Sequence, residues 1–429
     1  MDHDLLNRTE RILAILSVME SQIKSLRGAE PAPVPAAPVP VPAAPAQDKF
    51  NAQSKHFNSA LSKQERHDNG IYFTPKPVQM RMLELLADHG VNPTTILEPS
   101  SGTGEFVHSA AARWPAASIT AVEKHPKLSA SLKSSEKITS VNADFLNYSG
   151  EPVDLVIGNP PFFVTKIKNK ACMTGRGNMY VLFLYKCLTQ HLKKDGVLGF
   201  VLPTSFLNCY YYEPCRKYIA NNTTVLGIEH LDAKFYDTAQ DTMLLLIKNT
   251  PYTGEAPPYV LGFGGGIYLN KYYKELGALG DTATTVSALG LSVKTGEVVW
   301  NEHKSALHVT EGTLVIYQSN IVDGRLVLDN LQGEKKQRIR DFERDPVTGP
   351  ALCIGRGYGN TFKLSYTLVP AGTTFYGENH VNVVTGPVHA LERLQRSLGD
   401  PRTADFIRMF VGNGALSKSE ISDLLPVFI

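Results

Sequence analysis

The chain has 429 residues, 43% hydrophobic and 20% charged, which is enough apolar side chain for two or three domains and too much for a disordered polymer. Lys plus Arg (43) nearly balance Asp plus Glu (41), so no polyelectrolyte tail is present and any nucleic-acid contact must come from a local patch. The five cysteines, Cys172, Cys187, Cys209, Cys215 and Cys353, form no C-x-x-C pair, which argues against a disulfide framework or a structural zinc and for a reducing, intracellular setting.

No apolar run reaches the ~18–20 residues of a membrane span. The segment before residues 12–19 is made acidic on balance by Asp2, Asp4 and Glu10, against Arg8 and Arg11, so it does not suit a secretion signal. A soluble protein that is not secreted is expected. Within residues 1–28, Leu5, Thr9, Ile12, Leu16, Met19, Ile23 and Leu26 alternate spacings of four and three. That heptad ladder suits a coiled coil for self-association; an amphipathic helix packed on its own domain is the other reading. Residues 29–56 read as a Pro/Ala-rich linker, with seven prolines in the sixteen residues 31–46 favouring extended polyproline II. The globular body is expected to begin near Phe57.

Between residues 95 and 249 short apolar runs alternate with helix-period segments. The runs at 95–99, 118–123, 138–143, 153–159, 196–203, 225–231 and 242–248 read as buried strands, and 105–113 and 180–194 as helices between them. The expected class is α/β with a mainly parallel sheet. Past residue 250 the texture changes to Gly-rich turns, short strand-like runs at 313–318 and 324–330, and a closing helical stretch. A boundary is therefore expected there, separating 57–250 from 251–429.

In a doubly wound sheet, ligands sit at the carboxyl ends of the strands. The first strand here runs into Glu98-Pro99-Ser100-Ser101-Gly102-Thr103-Gly104, where glycines let the backbone turn tightly against a ligand. The second ends at Glu123, the third leads to Asp144-Phe145, and the fourth ends at Asn159-Pro160-Pro161-Phe162. Taken singly, each acid is most simply a helix cap or half of an ion pair; together they outline a site. The two prolines remove two donors, leaving the Asn side chain and nearby carbonyls as rigid acceptors beside an aromatic face. Such a group suits a planar amino group.

These motifs, in this order, resemble the S-adenosylmethionine-dependent methyltransferases that modify adenine N6 in DNA, in the gamma group whose target-recognition domain comes last. The resemblance implies a Rossmann-like class I methyltransferase domain over 57–250 and a mixed α+β target-recognition domain over 251–429. It implies S-adenosyl-L-methionine as cofactor and duplex DNA as substrate, with a flipped target base. Residues 70–75 are similar to the segment that holds the methionine end of the cofactor, with Phe73 and Thr74 at its centre. Glu98, Ser100 and Gly102 match the glycine-loop positions, although the family often has Ala-Cys-Gly where this chain has Ser100-Ser101-Gly102. Glu123 aligns with the acid that accepts the ribose hydroxyls, and Asp144 and Phe145 with the pair around the cofactor's adenine. Asn159 Oδ1 and the Pro160 carbonyl would accept from the target amino group, and Phe162 and Phe235 would stack on the base, with Tyr236 as an alternative to the latter. Segments 178–180 and 201–207 are similar to later core motifs of the pocket wall.

Lys166, Lys168, Lys170 and Arg176, in a stretch without apolar periodicity, read either as a mobile basic loop on phosphates or as a solvated surface. Lys335, Lys336, Arg338 and Arg340 read more simply as a solvated face. Arg356 and Tyr358, in a Gly-rich turn, are candidates for reading bases, while 376–383 and 412–417 are expected to frame that domain. A separately encoded restriction endonuclease is an expected partner. Two other functions fit part of the pattern. Asn-Pro-Pro-aromatic also serves enzymes that methylate glutamine, or RNA, though those usually carry Tyr last and lack a long C-terminal domain. A fold that only binds nucleic acid is the remaining reading, against which the intact Asn159–Phe162 quartet stands.

Overall fold

Alternating apolar residues in the runs after residue 94 send successive side chains to opposite faces, and pairing those runs yields a twisted sheet with two covered sides. In the computed structural model, residues 50–231, 241–331, 333–357, 364–410 and 416–428 are described. Helices α1 (Ala52–Ala60), α2 (Lys63–Asn69) and α3 (Lys76–Asp88) precede the sheet. Its strands are β1 (Thr95–Glu98), β2 (Ser118–Glu123), β3 (Ile138–Asn142), β4 (Val153–Gly158), β5 (Leu192–Pro203), β6 (Thr224–Leu231) and β7 (Thr242–Lys248). They are joined in turn by α4 (Glu105–Arg113), α5 (Pro126–Ser131), α6 (Met179–Lys186) and α7 (Glu213–Asn222).

The strand order is β3-β2-β1-β4-β5-β7-β6. The first five are parallel to their neighbours, and β7 runs antiparallel between β5 and β6. Leu97, Val156, Leu198 and Phe200 pack with α6 in one core. Their sequence neighbours Ile96, Leu155, Ile157 and Val201 pack with α3 and α4 in the other. This order places the carboxyl ends of β1, β2 and β4 side by side around the point where the chain reverses its direction of travel across the sheet.

Three expectations change. The linker does not run to residue 56: α1 begins at Ala52, because the Asn51 side chain caps it by accepting from the Ser54 N–H at 2.6 Å. The helix expected over 180–194 ends at Lys186, and a π-helical turn, Cys187–His191, leads into β5 at Leu192. There the parallel pairing of Leu192 with Val153 overrides the local helical period. In the run 324–330 only Arg325–Leu326 forms a strand, paired with Ile321–Val322; the Val327 N–H still donates to the Asn320 carbonyl at 2.8 Å, and Asp329 then takes a positive φ. The heptad ladder of 1–28 lies outside the described residues.

The seven-stranded sheet ends at Lys248, and the chain beyond it folds into a set of smaller sheets. Ser292–Thr295, Val381–Thr385, Ala351–Gly355 and Tyr366–Val369 form an antiparallel four-stranded sheet, covered by the helix Val388–Leu398. A five-stranded mixed sheet centres on Thr313–Ile316 and Thr374–Gly377. Both halves nevertheless belong to one compact unit, Lys49–Ile429. Arg216 of α7 is wholly buried and donates to the carbonyls of Phe206, Cys209 and Ile267 at 2.7–3.0 Å. Asn208 also donates to Glu420 at 3.3 Å.

Candidate active site at the carboxyl ends of the strands

The carboxyl ends of β1, β2 and β4, the turn after β3 and the segment 70–74 line one open-mouthed cavity. Segment 70–74 can close this side because Gly70, at φ +63°, lies against Pro161 and Phe163. A Cβ there would come within 2.6 Å of the Pro161 Cβ. Phe73, Thr74, Glu98, Ser100, Gly102, Glu123, Asp144, Phe145 and Asn159, all singled out from the sequence, line this one cavity.

Glu123, at the end of β2, accepts from the Gly102 N–H at 2.8 Å through Oε2 and from the His125 N–H at 2.7 Å through Oε1. Burial pushes its carboxyl up, and those two N–H groups oppose the rise. Glu98, at the end of β1, is 3% exposed, and its Oε2 has no partner within the protein. Burial pushes it well above the usual carboxylate range, Glu105 and Glu123 add to the rise, and the Val107 N–H alone opposes it. Glu105, the first residue of α4, is also buried and raised by burial. It is held by the hydroxyls of Thr103, at 2.9 Å, and of Ser54 on α1. Three acids on one small cavity suit a cationic ligand.

Asp144 caps the turn after β3, accepting from the Leu146 N–H at 3.0 Å, and pairs with Lys124 at 2.9 Å. Burial works to raise it, but the Lys124 and Leu146 hydrogen bonds outweigh burial and hold it below the usual range. The Phe145 ring is 1% exposed, packed on Phe183 at 4.9 Å, so it forms the cavity wall from the core side. Lys186 on α6 fixes this turn by donating to the carbonyls of Phe145, Leu146 and Tyr148 at 2.6–2.9 Å.

Asn159 sits where β4 ends. Its Nδ2 donates to Thr74 Oγ1 at 3.1 Å and toward the Tyr72 carbonyl at 3.4 Å. A carbonyl only accepts, so these contacts fix which amide atom is nitrogen and leave Oδ1 as the other. That oxygen is buried and has no partner within the protein. The Ser100 hydroxyl donates to the Asn159 carbonyl at 3.3 Å, tying the glycine loop to the same turn. Pro160 is buried and Phe162 half-buried, its ring edge-on to Tyr180 at 5.8 Å; neither lines the cavity, whereas Pro161 and Phe163 do. Phe235 and Tyr236 lie outside the described residues.

Glu105, Lys124 and Lys186 were not foreseen as part of this site. Glu105 reads in sequence as a helix-start acid, and the two lysines carry no local signal that aims them at a strand end.

Lys166, Lys168, Lys170 and Arg176 are exposed, in a loop bounded by the short hairpin Val164–Thr165 and Gly177–Asn178. The loop is pinned rather than free-standing. Cys172 and Met173 are buried, and the Thr174 N–H donates to the Tyr211 carbonyl at 2.8 Å. Arg356 is half-buried and its Nη1 reaches the Asn379 carbonyl at 3.4 Å; Tyr358 lies outside the described residues. The run 335–340 is engaged locally. Lys335 lies over the rings of Trp300 and Tyr317, Lys336 and Arg338 donate to backbone carbonyls, and Arg340 pairs with Glu311. Asn382, fully buried, donates to the Leu416 carbonyl and accepts from Thr295; residues 412–415 lie outside the described residues.

A fit to S-adenosylmethionine follows from these atoms. The open Oε2 of Glu98 can take a cationic group, and the Glu123 carboxylate can take a diol on lone pairs its two N–H partners leave open. Among the described residues no helix is long and apolar enough to cross a membrane.

Residues 70–236 match the Eco57I restriction-modification methylase family. Modification methylase CviBIII of Paramecium bursaria Chlorella virus NC1A is 32% identical over 396 residues, 89% of this chain and 99% of the relative. Type II methyltransferase M.CvrRI of Paramecium bursaria Chlorella virus XZ-6E is 30% identical over 390 residues, 88% of this chain and 99% of the relative. Among solved structures, the M protein of the type I restriction enzyme EcoKI matches at 16% identity and a TM-score of 0.36, over 44% of this chain and 46% of that one. With nearly the whole length of a relative matched at 32% identity, the chain belongs to the type II modification methylases, DNA methyltransferases of restriction-modification type that use S-adenosylmethionine.

Proposed function

We propose that the chain transfers a methyl group to N6 of an adenine flipped out of duplex DNA at a specific site. The observation that carries this reading is Asn159 Oδ1, a buried acceptor without a protein partner, held on the cavity wall by Thr74 and Tyr72. An exocyclic amino group offers the hydrogens that such an oxygen needs. Its lone pair is delocalised into the ring, and acceptors placed on its hydrogens draw it toward tetrahedral geometry. Asn159 Oδ1 and the Pro160 carbonyl serve as those acceptors. S-adenosylmethionine supplies a methyl group already activated on sulfur, so the protein contributes orientation rather than a nucleophile. The proton leaves N6 after transfer.

Extruding a base costs a few kcal/mol, and stacking on Phe162 and Phe235 offsets it. Glu98, Glu105, Glu123 and Asp144 with Phe145 hold the cofactor. Lys166, Lys168, Lys170, Arg176, Arg356 and Tyr358 belong to the DNA side. A separately encoded restriction endonuclease belongs to the same reading: methylation of the mapped site should block its cleavage. So does self-association through residues 5–26, for which an unchanged sedimentation mass after removal of residues 1–48, beyond their own weight, would speak against a coiled coil.

The test is transfer from labelled S-adenosylmethionine to a mixed-sequence duplex, with nucleoside analysis and an Asn159→Ala control. N6-methyladenine that disappears in the control is expected. Label entering only RNA, or only protein glutamine, would overturn the substrate.

A further inference from the structure

Twelve large apolar or aromatic side chains stand exposed among the described residues, and four of them, Val164, Ile167, Tyr210 and Tyr211, lie on just two segments. Those segments are bound together. The Thr174 N–H donates to the Tyr211 carbonyl, and the Cys215 N–H donates to the Cys172 carbonyl at 3.2 Å. The Tyr211 ring lies over Gly175, where a Cβ would come within 2.7 Å of it, so only glycine permits the contact. In the turn Tyr210–Tyr212, Tyr212 points inward onto Tyr180 at 5.6 Å, and Tyr180 in turn meets Phe162 of the Asn-Pro-Pro-Phe quartet. Tyr210 and Tyr211 point outward, 63% and 40% exposed.

We infer that Tyr210, Tyr211 and the loop 163–178 form one surface that grips duplex DNA beside the target base, the tyrosines contacting sugar and base while the lysines neutralise phosphates. The inference rests on the DNA reading above and adds residues that the motifs do not reach. Charge selects the occupant. Residues 163–178 carry Lys166, Lys168, Lys170 and Arg176 and no acid. Among the described residues none of the four is paired with a carboxylate, and Glu213, the nearest acid along the tyrosine segment, is already paired with Lys217 at 3.0 Å. A second copy meeting this face in a two-fold arrangement would set its own cations against these. Residues 1–28 offer acids and bases in near balance. A duplex offers a phosphate about every 1.7 Å of axis, and extrusion of the target base bares the faces of the bases beside it. Exposed tyrosine, apolar in its ring and polar at its tip, suits such a half-wet contact.

The experiment measures the affinity of the full chain for a mixed-sequence duplex of thirty base pairs across a salt series, with calorimetric S-adenosylmethionine affinity as the folding control. Tyr210→Ala should weaken DNA binding about five-fold or more, Tyr210→Phe should recover most of it, and the cofactor affinity should not move. The double variant Lys166→Ala, Lys170→Ala should flatten the slope of log K against log salt by about two. If both variants bind DNA like the wild type, within two-fold and with the same slope, the surface is elsewhere. If Tyr210→Ala instead lowers the sedimentation mass, the face is an interface between copies and the inference fails. Failure of the wild type itself to bind or methylate DNA would overturn the functional reading rather than this surface.

Discussion

Thr74 is the most revealing side chain to change, because its hydroxyl holds the Asn159 amide, the group proposed to be catalytic, rather than standing alone. Thr74→Val keeps the shape and removes Oγ1, so Asn159 Nδ2 loses its 3.1 Å acceptor and retains only the longer 3.4 Å approach to the Tyr72 carbonyl. Thr74 is 3% exposed, so water does not readily replace the lost partner. Leaving a buried donor poorly satisfied costs about 1–3 kcal/mol. The amide can relieve that cost by turning, which takes Oδ1 away from the position the reaction needs. Carried into the transition state, the loss is about 5- to 150-fold in kcat. Steady-state kinetics on duplex DNA, beside a calorimetric S-adenosylmethionine Kd, separate two roles. A positioning role lowers kcat with little change in Kd, and Thr74→Ser restores most of the rate. A Kd raised ten-fold or more with kcat intact would show that the hydroxyl serves the cofactor directly, and would refute the reasoning from Asn159.

Glu98 predicts a pH dependence. Its carboxyl lies above its ordinary value of 4.5, so the folded chain keeps a proton that the unfolded chain has released. Stability therefore falls as pH rises from 4.5 toward the folded value. Glu98→Gln should melt higher than the wild type near pH 8 and alike at pH 4, and should lose the rise of S-adenosylmethionine affinity with pH expected of the wild type; equal melting shifts at both pH values would sink this account. Asp154, at the start of β4, is the converse. Burial works to raise it, but Lys193 and the hydroxyls and N–H groups of Thr94 and Thr95 hold it below the usual range. Its stabilisation is present above pH 3.8 and lost as pH falls through the folded value. Asp154→Ala should cost about 1–2 kcal/mol at pH 7 by urea unfolding and leave cofactor affinity unchanged, since it lies at the other end of β4 from Asn159.

The strands were legible because each is a short apolar run whose alternate residues serve two cores, as Ile96 and Leu97 do. The site was legible because polar residues ending β1, β2 and β4 must converge once those strands are parallel neighbours. Position along a strand is local information; what lies opposite it is not. Thr74 and Asn159 are 85 residues apart, and no period in either segment says that one orients the other. Ser54 reaches Glu105 across 51 residues, so the stretch read as linker running into the body in fact anchors the glycine loop. Lys186 sits on a helix buried nearly all round, where its charge reads as an anomaly until three carbonyls of the Phe145 turn explain it. The run 335–340 errs the other way, since its charges are spent on neighbours that only the fold brings near.

The same reasoning separates the two kinds of cation in this chain. Lys186, Arg216 and the run 335–340 are engaged by carbonyls, rings or acids within the protein, so replacing them perturbs folding first. Lys166, Lys170 and Arg176 have no such partner among the described residues. Holding exposed lysines together, on a loop that Cys172 and Met173 bury into the core, has no stabilising return within the chain itself, since like charges repel. A loop pinned to the core beneath unpaired cations, beside exposed tyrosines and directly after Asn159, is what the DNA surface inferred above requires, since a bound polyanion would supply the missing return.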